Sequence, residues 1–205
     1  MIRNIIFDFG NVLVHFDPPQ IVRACAPSCT DTDQALLARV CFDRAWWDRM
    51  DAGTLDEPDA AALACAQLPD RLHPAVRAIF ADWYRILPEW DGMAALLADL
   101  KARGFRLYLL SNISRYFAAH CASLPILQPF DGLELSGPIG LVKPSAEIFA
   151  HLCARFGLRP GECLFIDDTA RNVDGAKSAG IDAILFPGDA GVLRAQLGAR
   201  LGVVL

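Results

Sequence analysis

Short apolar runs that end in a polar residue recur along the chain. They lie at residues 3–8 (RNIIFD), 105–111 (FRLYLLS), 163–167 (CLFID) and 181–186 (IDAILF), with a less regular one at 132–135 (GLEL). A continuous apolar stretch of this length suits a strand buried on both faces, as in a parallel sheet. Between the runs the apolar positions fall into helical spacing. Residues 91–103 open on a capping acid and stop before Gly104, residues 145–156 follow Pro144 and stop before Gly157, residues 170–179 stop before Gly180, and residues 191–201 form a last helix. An acid or Pro at the start and Gly just past the end are the expected punctuation of helices. Strand alternating with helix predicts an α/β fold, a parallel sheet with right-handed crossovers and helices on both faces. The polar strand ends then lie along the carboxyl edge, where open α/β sheets bind ligands.

Residues 18–90 break this rhythm. The segment is rich in Ala, Leu, Trp and acidic residues, and shows no convincing strand. Residues 56–68 and 74–84 have amphipathic helical spacing. The segment reads as a helical insert after the first strand, dividing the chain into a core of residues 1–17 and 91–205 and an insert of residues 18–90. A chain of 205 residues that is 54% hydrophobic and 21% charged can build a sizeable core. Its net charge of −5 offers no basic surface to nucleic acid. No apolar run approaches the roughly 18 residues of a membrane span. The opening MIRNIIFDFG meets charge at once and has no small-residue cleavage site, so no secretory signal is expected. The seven cysteines are odd in number and form no CxxC pair, which predicts reduced thiols in a cytoplasmic protein.

Four constellations carry candidate chemistry. In IIFDFGNV, Asp8 sits at the tip of a buried strand, where an unpaired carboxylate is costly. Such a carboxylate can attack phosphorus and form an acyl phosphate, though an Asp also opens turns. At the end of the next strand, Ser111 and Asn112 offer a hydroxyl and an amide to phosphate oxygens. The same pair would also serve as a helix cap near Ser114. Lys143 precedes Pro144, and its ammonium could neutralise a phosphate and a nucleophile, although most lysines are simply solvated. Asp167 and Asp168 are adjacent acids at another buried strand tip, with Asn172 and Asp174 beyond them. Two carboxylates there repel unless a cation or strong donors compensate, and hard Mg²⁺ suits one or two carboxylates with phosphate and water. Helix capping accounts for one of these acids, not both.

Taken in order, these residues resemble the haloacid dehalogenase-like hydrolase superfamily. The resemblance spans Ile5 to about Leu185. The stretches FDFGNVLV and DDTARNVDGAKSAG are most similar to a helical-cap branch containing bacterial sugar-phosphate phosphatases, including those for glucose 1-phosphate. It implies a Rossmann-like three-layer core and reads the insert as a small all-helical cap. It also implies Asp8 as nucleophile and Mg²⁺ ligand, the Gly10 carbonyl as a second ligand, and Asp168 with Asp167 beside it as the rest of the metal site. Ser111, Asn112 and Lys143 would hold the phosphoryl group. The implied activity is Mg²⁺-dependent hydrolysis of a small-molecule phosphate ester. Trp46, Trp47 and Arg49 are candidates for cap specificity, although tryptophans in a small insert usually form its core. The turn near Gly53 is a candidate loop into the site.

One position departs from the pattern. Most phosphatases of this superfamily carry a second Asp two residues after the nucleophile as general acid and base. Here that residue is Gly10, and loss of such a group costs about 10²–10⁴ in rate. Either another group supplies the proton, with His15 and Asp17 as candidates, or the leaving group needs little protonation, as for a sugar 1-phosphate. A dehalogenase would also use an Asp nucleophile without the second Asp, but it needs no acidic pair. A phosphate-binding member with weakened catalysis is the other alternative.

Overall fold

The structure is a computed structural model that describes residues 1–205, the side chain of Ala122 excepted. Five parallel strands, β1 (Asn4–Phe7), β2 (Arg106–Ser111), β3 (Gly132–Leu135), β4 (Cys163–Asp167) and β5 (Asp182–Leu185), form one sheet in the order β3-β2-β1-β4-β5. The runs at 3–8, 105–111, 132–135, 163–167 and 181–186 therefore all form strands. β1 is central, with Phe7 in register with Leu109 of β2 and Ile166 of β4.

Alternation along the strands separates two apolar layers. Ile5 and Phe7 of β1, Leu107 and Leu109 of β2 and Leu164 and Ile166 of β4 face one layer. There they meet α6 (Met93–Ala102), α7 (Arg115–His120) and α11 (Ala190–Leu201). Ile6, Tyr108, Leu110 and Phe165 face the other, formed by α9 (Ala146–Phe156) and α10 (Ala170–Ser178). The crossovers run outward from β1 in both directions, which places helices on both faces. Each buried Phe or Leu contributes roughly 1.5–3 kcal/mol of transfer free energy. A four-residue helix, α8 (Ser136–Ile139), follows β3.

Between β1 and β2 the chain forms α1 (Pro18–Cys25), α2 (Asp31–Cys41), α3 (Arg44–Asp51), α4 (Glu57–Cys65) and α5 (His73–Asp82), then a 3₁₀ turn from Trp83 to Ile86. The helices expected at 56–68 and 74–84 are present with shorter bounds. Thr30 and Asp43 cap α2 and α3 by accepting hydrogen bonds from the amides of Asp33 and Ala45, which supplies start signals for this segment. The insert has its own apolar centre, including Val22, Leu37, Trp46, Met50, Ile79 and Phe80. Its base joins the main core through Trp83, whose ring stacks on Phe117 at 5.7 Å between centroids. All seven cysteines are free thiols. No helix among the described residues is long and apolar enough to cross a membrane.

The turn after α3 docks directly on the core. Ser136 Oγ donates to the Asp51 carbonyl at 2.6 Å and accepts from the Ile113 amide at 2.8 Å. Next to it, Gly53 has φ +67°, and a Cβ there would lie 2.1 Å from the Gly137 carbonyl oxygen. Backbone meets backbone, so no side-chain movement relieves that clash. Gly53→Ala is expected to cost about 2–4 kcal/mol of unfolding free energy through left-handed strain plus overpacking. Gly92→Ala, with φ +80° and open space around the Cβ, should cost only the strain of about 1–2 kcal/mol. Urea denaturation of both variants measures the difference, and equal losses would contradict the docked turn.

Candidate active site

The carboxyl ends of β1, β2 and β4 bring the predicted residues together. Asp8 follows β1, is 8% exposed, and takes its backbone hydrogen bond from Asp8 N–H to the Ile166 carbonyl at 2.9 Å. Its Oδ1 accepts from the Phe9 amide at 2.7 Å and lies 2.8 Å from Lys143 Nζ. The same ammonium lies 2.7 Å from Asp167 Oδ2. Burial raises the Asp8 pKa to about 6, against the pull of the Lys143 charge. Burial pulls Lys143 down, but the two carboxylates outweigh it and hold the ammonium above its ordinary value.

Asp167 is fully enclosed. Besides Lys143, it accepts from the Thr169 amide at 2.8 Å and from Asn172 Nδ2 at 3.0 and 3.1 Å. These bonds occupy both of its oxygens. Asp168 is exposed and faces the cleft; its neighbour Thr169 donates a hydrogen bond to it at 3.3 Å. One carboxylate oxygen from each of Asp8, Asp167 and Asp168 lies within 4.8 Å of the others. Three carboxylates facing one ammonium leave an excess of negative charge, which suits a hard divalent cation. Asp8 Oδ2 and Asp168 retain lone pairs for it, whereas Asp167 has little capacity left.

Ser111 is buried and lines the cleft, and among the described residues its hydroxyl has no hydrogen-bond partner. Asn112 also lines the cleft, but its amide is mostly engaged. Its Oδ1 accepts from the Lys143 N–H at 2.7 Å, and its Nδ2 donates to the Lys143 carbonyl at 3.0 Å. One amide hydrogen remains free, so Asn112 first holds the Lys143 loop in place. Pro144 follows Lys143 through a cis peptide bond.

Gly10 lies in the cleft wall, and a Cβ on it would meet only Phe16, at 3.8 Å. Packing therefore does not exclude a larger residue there. Asn11 adopts φ 56°, and its side chain accepts from the Phe16 amide at 3.0 Å, closing the loop after β1. This left-handed conformation is one that Asn tolerates better than most residues.

The cleft has a volume of about 390 Å³. Trp47 lines it together with Phe16, Phe42 and Trp83, and Trp47 stacks on Phe42 at 5.2 Å. The other two specificity candidates are placed elsewhere. Trp46 is buried in the insert, with its indole N–H donating to the Cys41 carbonyl, and Arg49 is exposed outside the cleft. His15 and Asp17 do not line the cleft either: His15 packs at a tilt against Trp90, with ring centroids 3.7 Å apart, and Asp17 precedes α1. The sequence does not single out three charged lining residues, Arg44 and Asp51 of α3 and Arg171 of α10, nor the aromatic lining of Phe16, Phe42 and Trp83. The turn near Gly53 was the available signal, since it places the end of α3 against the core.

A family model for haloacid dehalogenase-like hydrolases matches residues 2–180. Among curated proteins, a drimenol cyclase of Aspergillus calidoustus is 27% identical over 91% of this chain, which spans 34% of that protein's length. A D-ribitol-5-phosphate phosphatase of Bacteroides thetaiotaomicron is 25% identical over 89% of this chain and 90% of its own. Among solved structures, a haloacid dehalogenase family enzyme from Bacteroides thetaiotaomicron, in complex with magnesium and inorganic phosphate, superposes with a TM-score of 0.68. It is 20% identical and covers 90% of this chain and 93% of its own. By the family match over residues 2–180 and the shared fold, the chain belongs to the haloacid dehalogenase-like hydrolases.

Proposed function

We propose that this chain is a Mg²⁺-dependent phosphomonoester hydrolase acting on a small phosphorylated metabolite through an aspartyl phosphate on Asp8. The buried Lys143 ammonium between Asp8 and Asp167, with Asp168 open to the same cleft, carries the reading. Asp8 attacks phosphorus in line, and its carboxylate is held in one orientation by Lys143 and the Phe9 amide. Lys143, the Ser111 hydroxyl and the free amide hydrogen of Asn112 bind phosphoryl oxygens. Fixed donors around an anion supply most of the acceleration in phosphoryl transfer. Asp8, the Gly10 carbonyl and Asp168 would hold Mg²⁺, which supplies further neutralisation of phosphate charge when bound. Water then cleaves the aspartyl phosphate. The phosphatase relative and the magnesium- and phosphate-bound structure support this reading. A dehalogenase would leave the open acid Asp168 without a task.

Residues 18–90 act as a cap over the core built from 1–17 and 91–205. The aromatic wall of Trp47 and Phe42 suits the apolar face of a sugar ring, and Arg171, with Arg44 paired to Asp48 at 2.8 Å, supplies guanidinium donors at the cleft. A sugar phosphate is the substrate class that uses both.

Asp8→Asn should lower Mg²⁺-dependent hydrolysis of an aryl phosphate by at least about 10³-fold with the fold intact. Chelation should abolish turnover. Mg²⁺ at about a hundredfold over its Kd should raise Tm by several degrees, and Asp168→Asn should lose that shift. Turnover unaffected by Asp8→Asn would remove the nucleophile. Lys143→Met should cost about 3–5 kcal/mol of stability in urea, because it strands two buried carboxylates, and should weaken inhibition by inorganic phosphate. Unchanged stability would contradict a paired, buried ammonium.

A further inference from the structure

The cleft contains an acid that the mechanism above does not use. Asp8, Asp51 and Asp168 are the acidic residues that line it among the described residues, and the Asp51 carboxylate feels the charges of Asp8 and Lys143. Asp8 and Asp168 already have roles. Asp51 is the last residue of α3, on the insert. Its carboxylate makes no hydrogen bond or ion pair with any described residue, while its backbone carbonyl is fixed by Ser136 Oγ at 2.6 Å. Ser136 in turn accepts from the Ile113 amide, immediately beyond Ser111 and Asn112. The side chain is thus held at the cleft by a docked backbone and is free at its tip. The other ionisable groups on the cleft wall do not suit proton transfer. Lys143 is kept charged by two carboxylates, and the guanidinium groups of Arg44 and Arg171 do not release protons near neutrality.

Resting on the phosphatase reading above, we infer that Asp51 is the general acid and base of this enzyme, supplying from the insert the carboxyl group that Gly10 lacks. In the first step a bond forms between an Asp8 oxygen and phosphorus as the phosphorus–leaving-group bond breaks. The proton of Asp51 passes to the departing oxygen, which gives a neutral alcohol and an Asp51 carboxylate. In the second step water adds to phosphorus and gives one proton back to Asp51. The Asp8–phosphorus bond breaks, releasing hydrogen phosphate and restoring the Asp8 carboxylate and the protonated Asp51. Burial raises the Asp51 pKa to about 7; Asp48 and Asp8 add to the rise, and Arg44 and Lys143 oppose it. A carboxyl group poised there can both give and take a proton near neutrality.

The test compares two esters in the full chain with Mg²⁺: a primary alkyl phosphate, whose alkoxide needs a proton, and para-nitrophenyl phosphate, whose leaving group does not. Asp51→Asn should lower kcat/KM for the alkyl ester by about 10²–10⁴-fold and for the aryl ester by less than about tenfold. With the aryl ester the variant should also show a burst of nitrophenolate followed by slow turnover, because water attack has lost its base. Both rates come from one preparation, so partial misfolding cancels in their ratio. Equal losses on the two esters, or no loss on the alkyl ester, would overturn the assignment. A wild-type chain inactive on both esters, with no effect of Asp8→Asn, would instead overturn the phosphatase reading beneath it.

Discussion

A single buried ammonium sets the geometry of this protein. Lys143 is 3% exposed and lies within 2.8 Å of Asp8 and Asp167. A lysine buried without partners would be driven to its neutral form, and a carboxylate stranded beside it would cost several kcal/mol. The triad meets both demands only if β1 and β4 are neighbours, with their tips level and the 142–144 loop folded back over them. The observed register, Phe7 opposite Ile166, places Asp8 and Asp167 side by side. Asn112, at the end of β2, holds both backbone groups of Lys143. Three strand ends are thereby tied through one charge, and the fold and the site constrain each other.

The triad also divides the work between two adjacent acids. Asp167 is the last residue of β4 and is buried, whereas Asp168, in the bend that follows, is exposed. Asp167 spends its lone pairs on Lys143, Asn172 and the Thr169 amide. It is the anchor of the site rather than its open ligand. Asp168 has the free capacity that a cation requires. An acidic pair that looks redundant in sequence is therefore two groups with different surroundings.

Much of this was legible because buried charge is anomalous. Asp8 and Asp167 end apolar runs, and a turn or a helix cap explains each singly but not the set of acids at adjacent strand tips. The strands and most core helices followed from the same runs and from Gly and Pro punctuation. The Asn112 amide was read as a phosphate ligand, whereas most of it holds the Lys143 backbone, a contact 31 residues distant in sequence. Trp46 and Trp47 were indistinguishable in sequence, since which of two neighbours faces the cleft depends on how α3 rotates against the insert's own core. Asp51 was hidden for the same reason. An acid at a helix end is ordinary until the helix end is docked on something, and here the docking partner, Ser136, lies 85 residues away.

Where a proton donor is carried decides when it can act. A carboxyl group on the loop after β1 would sit beside Asp8 whether or not the cleft was closed, and could activate water against any phosphoryl group that entered. Asp51 reaches the cleft through the insert, and its position depends on the contacts of residues 51–53 with Ser136 and Gly137. The same helix, α3, carries Trp47, which lines the cleft with Phe42. With Asp51 as the donor inferred above and the insert as the proposed cap, proton supply, exclusion of bulk water and recognition of the leaving group would follow from one docking event, the coupling expected of a closing element that completes a catalytic site. An absent acid beside the nucleophile is, on this reading, a gain in discrimination: the insert proposed to recognise the substrate also carries the group that lets its leaving group depart.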